Sequence, residues 1–411
     1  MIQMTPEKKG KCIVIILDGF GIGCMDDVSE VRPRDIHSNT ALNIIKRNPS
    51  IELPNLENLG LMNAIGCEYK HHKFSLTANW GTANLAHVGA DSFLGHQEII
   101  GTLPKPPLIE PFRNKIDIIE KNLKNAGYGV RRVGKQLDPK ILVINECVTV
   151  GDNLETDYGQ VYNVTACLDL ISFEDLKKLA SIVRGSVQVS RVITFGGENI
   201  TLQDLLNARK VKNNAIAGID APLSGVYKKG YKVIHLGYGI DKNVQIPTIL
   251  DKSSIDVCLI GKAADIIQTD SKKIIYGVDS DYLFDQLNLE STKMDTGLII
   301  LNIQETDLAG HSQDVQWYSE LLQLADKRIG TLIAQLRSDD ILIIMADHGN
   351  DPTIGHSNHT REKVPLLAYK KGVEGKHLGT RATLSDVGAT VAEYFNVEPP
   401  QNGVSFLSQL F

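Results

Sequence analysis

The chain has 411 residues, of which 42% are hydrophobic and 22% are charged, and its formal net charge at pH 7 is −6. This length suits about two domains, and the composition is that of an ordinary globular protein. The acidic balance argues against nucleic acid or an anionic membrane as a partner, because both favour a basic protein surface. The first apolar run, Cys12–Leu17, is too short for a membrane span or a signal sequence, so we expect a cytoplasmic protein without membrane association.

The segment Lys11–Gly23 (KCIVIILDGFGIG) predicts a buried strand that ends at Asp18 and a glycine-rich turn. A Rossmann phosphate loop is the main alternative, but the glycines follow GxGxG instead of GxGxxG. Asp18 would also place a carboxylate where a pyrophosphate must approach. We therefore favour Asp18 as a metal ligand, with a helix cap as the simpler alternative. Two predicted helices follow, Thr40–Lys46 and Leu53–Leu61.

Trp80–Thr102 contains a candidate nucleophile, Ser92, which follows Asp91 and precedes the helical pattern FLGHQEII. A hydroxyl at a helix N-terminus gains from the local positive potential and lies near backbone N–H groups, which also attract phosphate. Taken alone, the pattern favours a plain N-cap over a nucleophile. His96 follows Ser92 by four residues and is expected either to contact a phosphate or to orient a neighbouring side chain.

The pattern changes after Pro104, Pro106 and Pro107, where the dense clusters of ligand-type residues end. We predict an inserted domain at residues 103–245, between two parts of a core domain at residues 1–102 and 246–411. The helical and strand-like segments of this insertion include Ile116–Ala126, Ile141–Thr149, Phe173–Val183, Val187–Thr194 and Lys228–Gly239.

Alternation of strands and helices resumes from about residue 247. The predicted strands are Asp256–Ile260, Leu298–Ile303, Ile341–Met345 and Val364–Tyr369, and the predicted helices are Trp317–Leu336 and Leu384–Phe395. Lys262 follows the first of these strands and is expected to bind a phosphate as a point charge, unless it is simply solvated.

Acidic and imidazole side chains follow three of the apolar strands, and one more histidine lies in a loop. They are Asp18, Asp307, His311, Asp347, His348 and His359. The carboxyl ends of parallel strands meet at one edge of a sheet, where ligands bind. Three carboxylates and three imidazoles suit two divalent metals. Two metals stabilise the attacking and leaving oxygens of phosphoryl transfer, and a serine activated by them can act as the nucleophile.

The segment Ala346–Tyr369 (ADHGNDPTIGHSNHTREKVPLLAY) resembles the phosphopentomutases, a branch of the alkaline phosphatase superfamily. The segments LDGFGIG, GADSFLGHQEIIGT, GKAADI and LSDVGATVAEYF support the resemblance. It implies an alkaline-phosphatase-like α/β core, with a largely parallel sheet flanked by helices and an inserted α+β cap that covers a sugar. The enzymes of this family are isomerases that interconvert pentose 1-phosphate and 5-phosphate through a phospho-enzyme.

The resemblance also implies roles for the candidate residues. Asp18, Asp347 and His348 would hold one divalent cation, and Asp307, His311 and His359 would hold the other, with Mn²⁺ preferred and Zn²⁺ as an alternative. Ser92 falls on the position of the phosphorylated nucleophile and would also contact the metals. A sugar bisphosphate could prime it.

The chain departs from the family pattern at several positions. The nucleophile is usually threonine, and the spacing from Asp307 to His311 is one residue shorter than usual, as in the related cofactor-independent phosphoglycerate mutases. In the cap, Thr165 stands where an acidic residue is expected and Phe195 where an arginine is expected. The candidate substrate contacts that remain are Asp91, His96, Arg191, Lys262 and Arg361, and Arg361 could instead fix the His359 loop. We therefore predict a paralogous branch that acts on a small phosphosugar.

The sequence leaves three functions open. The leading prediction is a phosphomutase that works through phospho-Ser92. A phosphohydrolase or phosphodiesterase of the same superfamily would share the metal ligands but transfer the phosphoryl group to water. A non-catalytic binding protein on the same fold is the third, although all six ligand candidates and the nucleophile are present.

Overall fold

A computed structural model of the chain describes residues 9–154 and 158–410. The chain divides into two units. The core unit combines the chain up to Pro104 with the chain from Asp241 onwards, and the inserted unit spans Lys105–Ile240. The expectation that the inserted unit covers a substrate stays a prediction.

The secondary structure alternates throughout the described chain. The strands are β1 (Lys11–Leu17), β2 (Asn79–Ala83), β3 (Val130–Val133), β4 (Ile141–Ile144), β5 (Val148–Asp152), β6 (Val161–Cys167), β7 (Arg191–Gly197), β8 (Arg209–Lys212), β9 (Ile216–Ile219), β10 (Lys232–Gly237), β11 (Asp256–Gly261), β12 (Lys273–Ile275), β13 (Gly297–Ile303), β14 (Ile341–Met345), β15 (Val364–Tyr369) and β16 (His377–Arg381). The α-helices are α1 (Val28–Val31), α2 (Thr40–Arg47), α3 (Pro54–Asn58), α4 (Leu61–Ile65), α5 (Ser92–Ile99), α6 (Ile116–Asn125), α7 (Phe173–Gly185), α8 (Leu202–Asn207), α9 (Ala221–Ser224), α10 (Ile246–Lys252), α11 (Lys262–Ile266), α12 (Ser280–Lys293), α13 (Glu305–His311), α14 (Val315–Gln335) and α15 (Ser385–Phe395). Short 3₁₀ helices cover Pro33–Asp35, Phe112–Asn114, Lys242–Val244 and Leu407–Leu410. Among the described helices, none is both long and apolar enough to cross a bilayer.

The described strands of the core unit form a sheet of eight in the order β12-β11-β13-β1-β14-β15-β2-β16. β1 lies between β13 and β14 and runs parallel to both. β15 runs against the direction of the other described strands, since it pairs antiparallel with β14 and with β2. Every residue of β1, β13 and β14 is buried, as expected for apolar strands that are covered on both faces. The predicted α/β core with a largely parallel sheet is confirmed.

The nucleophile candidate lies on α5, a helix in which all eight residues are buried. Asp91 caps this helix, because its carboxylate accepts a hydrogen bond from the backbone N–H of Leu94 at 2.9 Å. A Cβ on Gly95 would lie 2.6 Å from the carbonyl oxygen of Asp347. A glycine at this position therefore lets the first turn of α5 approach the carboxyl end of β14 closely.

The inserted unit contains a sheet with the order β10-β7-β6-β5-β4-β3 and the β8–β9 hairpin. β6 and β7 run parallel, whereas the other neighbouring pairs are antiparallel. Apolar side chains of the sheet pack with α6 and α7 in one buried cluster and with α8 and β9 in another. This architecture is the predicted α+β type.

The structure corrects two predicted segments of the inserted unit. Ile141–Thr149 forms two strands, β4 and the start of β5, joined by a tight turn at Asn145 and Glu146. Both turn residues have positive φ, 46° and 55°, which the sequence does not reveal because Asn-Glu is not the usual Asn-Gly signal. The segment predicted at Val187–Thr194 becomes a strand only at Arg191.

Phe195 and Thr165 stand at the two positions where the family resemblance implies an arginine and an acid. They lie opposite each other on β7 and β6, and both are buried. Phe195 packs with Ile200 and Leu205 in an apolar cluster. This position therefore supports the core of the inserted unit in this chain.

Candidate metal centre

The six ligand candidates come together at the carboxyl edge of the core sheet, where β1, β13 and β14 end side by side. We call them the metal centre: Asp18, Asp307, His311, Asp347, His348 and His359. Ligand atoms of Asp18, Asp347 and His348 all lie within 4.8 Å of one another. The same holds for Asp307, His348 and His359, so His348 lies between the two groups.

Two buried atoms of the metal centre have lone pairs that no described residue uses. Asp18 Oδ1 and His348 Nε2 lie 3.5 Å apart, and neither has a hydrogen-bond partner among the described residues. Nδ1 of His348 lies 2.9 Å from the carbonyl oxygen of Gly349 and must donate to it, which leaves Nε2 unprotonated. Burial lowers the pKa of His348 to about 3. Buried polar atoms without partners are rare, and a divalent cation would satisfy both.

His311 and His359 have the same arrangement as His348, with Nδ1 donating to a backbone carbonyl oxygen. Nδ1 of His311 donates to the carbonyl oxygen of Ser357 at 2.6 Å, and Nδ1 of His359 donates to that of Ala90 at 2.7 Å. The two Nε2 atoms lie 3.1 Å apart. Two lone pairs at this distance repel unless a proton or a cation lies between them.

Asp307 lies next to both His311 and His359. It lies four residues before His311 on α13, and its Oδ2 is 3.3 Å from His311 Nε2. Its Oδ1 is 3.4 Å from His359 Nε2. Hydrogen bonding to Asp307 raises the pKa of His311. For His359, burial acts to lower the pKa, but the charge of Asp307 outweighs it and the pKa is raised. The carboxylate thus favours positive charge at this position.

Ser92 lies directly beside the metal centre. Its hydroxyl donates to Asp347 Oδ2 at 2.6 Å, and the residue is 7% exposed. Ser92 is the first residue of α5, so the N-cap role that was the alternative for Ser92 belongs to Asp91. Burial alone would raise the pKa of Asp347, but His348 and His96 hold it well below its usual range. Asp347 is therefore an ionised acceptor for the Ser92 hydroxyl.

Lys262 connects the two groups of ligands. Its Nζ donates to Asp18 Oδ2 at 2.8 Å and lies 3.8 Å from Asp307 Oδ2. Burial opposes the charge of this lysine, but Asp18 and Asp307 raise its pKa. Lys262 is therefore a charged residue of the site and not a solvated one.

His96 is fully buried behind Ser92. Its Nδ1 lies 2.8 Å from the Ser92 carbonyl oxygen and 3.1 Å from Asp347 Oδ2. Its Nε2 lies 2.8 Å from Asn302 Nδ2. Both ring nitrogens have protein partners, which favours the alternative that His96 orients its neighbours.

Arg361 uses its N–H groups to hold the loop before α5. It makes two hydrogen bonds to Asp27 and donates to the carbonyl oxygens of Leu85, His87 and Gly89. A guanidinium has five N–H donors, so none is left for a substrate phosphate. These contacts tie the His359 loop, which carries Arg361, to Asp27 and to the loop before α5. The structure therefore favours the alternative that Arg361 fixes the His359 loop. Arg191 is the first residue of β7 in the inserted unit, and its contact with a substrate stays a prediction, as does that of Asp91.

Sequence reasoning missed three side chains that organise the site. Asn302 and Asn350 donate to Asp18 and Asp307. Glu362 is fully buried and accepts four hydrogen bonds, from the backbone of Gly23 and Thr40 and from the hydroxyls of Thr40 and Thr360. The one usable signal was Asn302, a single amide inside the apolar strand GLIILNI.

Comparisons with known proteins agree with this geometry. A family profile described as the metalloenzyme superfamily matches residues 10–399. The phosphopentomutase of Clostridioides difficile (strain 630) is 32% identical over 426 residues, which cover 98% of this chain and 100% of that protein. The phosphopentomutases of Desulfitobacterium hafniense (strain Y51) and Herpetosiphon aurantiacus are both 31% identical and match 97% of this chain, over 99% and 98% of their own lengths. The chain therefore belongs to the phosphopentomutase family within the metalloenzyme superfamily.

Proposed function

We propose that this chain is a metal-dependent phosphomutase, an isomerase that moves a phosphoryl group between two positions of a small phosphosugar. The relatives that it matches are named phosphopentomutases, so pentose 1-phosphate and 5-phosphate are the first substrates to test. The observation that carries the proposal is the 2.6 Å hydrogen bond from the Ser92 hydroxyl to Asp347, within a centre of three carboxylates and three imidazoles.

The donor set fits two divalent cations. Asp18, Asp347 and His348 would hold one, and Asp307, His311 and His359 would hold the other. Bound there, the cations would supply positive charge to the phosphoryl oxygens and lower the pKa of the Ser92 hydroxyl. We propose Mn²⁺ as the metal from the family resemblance, and mixed carboxylate and imidazole ligands also suit Zn²⁺.

Residues next to Ser92 would position its hydroxyl and a bound phosphoryl group. Asp347 orients the Ser92 hydroxyl through its Oδ2, and the backbone of α5 holds Ser92 at a helix N-terminus, where a phosphate is favoured. Lys262 adds a fixed positive charge beside Asp18. In the proposed cycle, a substrate hydroxyl bonds to the phosphorus of phospho-Ser92 as the bond to Oγ breaks. This step forms a bisphosphate sugar, and the proton of the substrate hydroxyl passes to Ser92 Oγ. Ser92 Oγ then bonds to the phosphorus at the other position as the bond from that phosphorus to the sugar oxygen breaks, and the proton passes to the sugar oxygen.

The proposal is tested by two assays on Mn²⁺-loaded protein with ribose 1-phosphate, one for ribose 5-phosphate and one for free phosphate. We expect isomerisation without phosphate release, loss of activity in Ser92→Ala, and wild-type activity in Ser291→Ala, a buried serine of α12. The bisphosphate sugar is added to prime Ser92. Phosphate release without isomerisation would replace the mutase by a hydrolase. No turnover and no phosphorylated Ser92 with Mn²⁺ or Zn²⁺ would favour a binding protein.

A further inference from the structure

Asn302 is the polar residue of β13 that points at the metal centre. Its Nδ2 donates to Asp18 Oδ2 at 2.9 Å and lies 2.8 Å from His96 Nε2. Its Oδ1 is buried and has no hydrogen-bond partner among the described residues. The opposite orientation of the amide would place its oxygen against the Asp18 carboxylate, so the contact with Asp18 fixes which atom is the donor.

Asn350 has the same relation to the other half of the centre. Its Nδ2 donates to Asp307 Oδ1 at 2.8 Å and to the Asp307 carbonyl oxygen at 3.1 Å. Its Oδ1 is also buried without a partner in the described part of the chain. Two neighbouring ligand aspartates are therefore each held by an amide that leaves its own oxygen unsatisfied.

The backbone around Asn350 is built to admit this side chain. A Cβ on Gly310 would lie 2.5 Å from Asn350 Cγ, and one on Gly19 would lie 3.0 Å from Asn350 Cβ. Gly310 precedes His311 and Gly19 follows Asp18, so the segments that carry ligands from both groups close around one amide. A polar side chain in such tight packing indicates that the N–H donor of Asn350 is needed at this position.

The unsatisfied oxygens argue against a role in stability alone. A buried acceptor without a partner costs free energy, and an apolar side chain of the same shape would avoid that cost. The N–H groups, in contrast, each reach a ligand carboxylate. Side chains that hold the ligands of a metal in this way set their orientation and strengthen metal binding.

We propose that Asn302 and Asn350 are positioning residues that select which oxygen of a ligand carboxylate is left for the cation, an inference that rests on the metal centre of the proposed function. At Asp18, Oδ2 is occupied by Asn302 and Lys262, and Oδ1 is left. At Asp307, Asn350 occupies Oδ1, and Oδ2 is left beside His311. Asn302 thereby orients a ligand of one cation, and Asn350 orients a ligand of the other.

The test is calorimetric titration of metal-stripped full-length protein with Mn²⁺, comparing wild type with Asn302→Leu and Asn350→Leu. Each variant should lower the affinity of one of the two sites by about 10–100-fold and leave the other site close to wild type. The melting temperature of the metal-free variants should stay within about 2 °C of wild type, since removing the unsatisfied amide oxygen offsets the loss of the N–H bond to the carboxylate.

The matched control is Asn55→Leu. Asn55 Nδ2 also donates to a carboxylate, Asp326 Oδ2, at 2.8 Å, but neither residue belongs to the metal centre. This variant should lower the melting temperature and leave both Mn²⁺ affinities unchanged. If either leucine variant fails to fold, Asn302→Ala and Asn350→Ala replace it, because alanine needs no extra room.

Wild-type Mn²⁺ affinity at both sites in the two variants would overturn the inference and leave the proposed function standing. A lower melting temperature with unchanged affinity would overturn it as well and assign the amides to stability. If the wild type itself bound neither Mn²⁺ nor Zn²⁺, the proposed function would fail together with the inference.

Discussion

Gly95→Ala should separate the nucleophile Ser92 from its acceptor Asp347 without replacing any of the candidate metal ligands. The new Cβ would lie 2.6 Å from the Asp347 carbonyl oxygen and 2.9 Å from the Asp347 Cβ, whereas ordinary contact begins at 3.4 Å. α5 and the end of β14 must therefore move apart by about 0.8 Å. Ser92 lies on the same helix turn, so its 2.6 Å hydrogen bond to Asp347 lengthens by a similar amount.

The expected effect is large on activity and small on stability. A misplacement of about 1 Å at a reacting group can cost about 100-fold in rate. Overpacking destabilises by about 1–3 kcal/mol, and replacing a helical glycine by alanine stabilises by about 0.5–1 kcal/mol. We expect kcat for phosphosugar isomerisation to fall by about 100-fold, while the free energy of unfolding falls by no more than about 2.5 kcal/mol.

The control is Gly185→Ala at the end of α7, where a Cβ meets no atom within 4 Å. This variant should be slightly more stable than wild type and fully active. Enzyme kinetics and urea denaturation on all three proteins separate the two effects. Wild-type kcat in Gly95→Ala would refute the close approach of α5 to Asp347 as the feature that positions Ser92.

Three further predictions concern stability. Tyr318→Phe should change the free energy of unfolding by less than about 1 kcal/mol in thermal denaturation, because the hydroxyl is buried without a partner in the described structure; a larger loss would reveal a partner. Burial raises the pKa of Glu362 to about 7, so its stabilising contribution is present below its ordinary value of 4.5 and is lost as the pH rises through 7. Measured by urea denaturation between pH 5 and 7, the free energy of unfolding of wild type should fall by up to about 1.4 kcal/mol per pH unit relative to Glu362→Gln. The same pH dependence in both proteins would contradict the raised pKa of Glu362. Removal of divalent metal by a chelator should lower the melting temperature, since cations at 100 times their Kd stabilise by about 2.7 kcal/mol per site; an unchanged melting temperature would argue against bound metal.

The strands that carry the site were predictable because their chemistry is simple. β1, β13 and β14 are continuous apolar runs, and the predicted Ile341–Met345 matches β14 at both ends. The position of the ligand candidates follows from the rule that the carboxyl ends of parallel strands share an edge. The edge strands β12 and β16 were not predicted, because short strands at the edge of a sheet need no apolar pattern.

The contacts within the site depend on residues that are distant in sequence. The partner of Asn350 is Asp307, and the carbonyl oxygen that fixes the His359 ring belongs to Ala90. No spacing or periodicity connects such pairs. The same holds for Arg361, whose sequence context allowed a substrate contact until the structure showed all of its donors in use.

If Ser92 carries the phosphoryl group during turnover, intact mass spectrometry of the protein should detect phospho-Ser92. Mn²⁺-loaded protein is incubated with the bisphosphate sugar and then with ribose 1-phosphate, alongside Ser92→Ala and Ser291→Ala. We expect the mass of one added phosphoryl group in wild type and in Ser291→Ala, and none in Ser92→Ala. Isomerisation by an unphosphorylated wild type, or the same added mass in Ser92→Ala, would exclude Ser92 as the residue that carries the phosphoryl group.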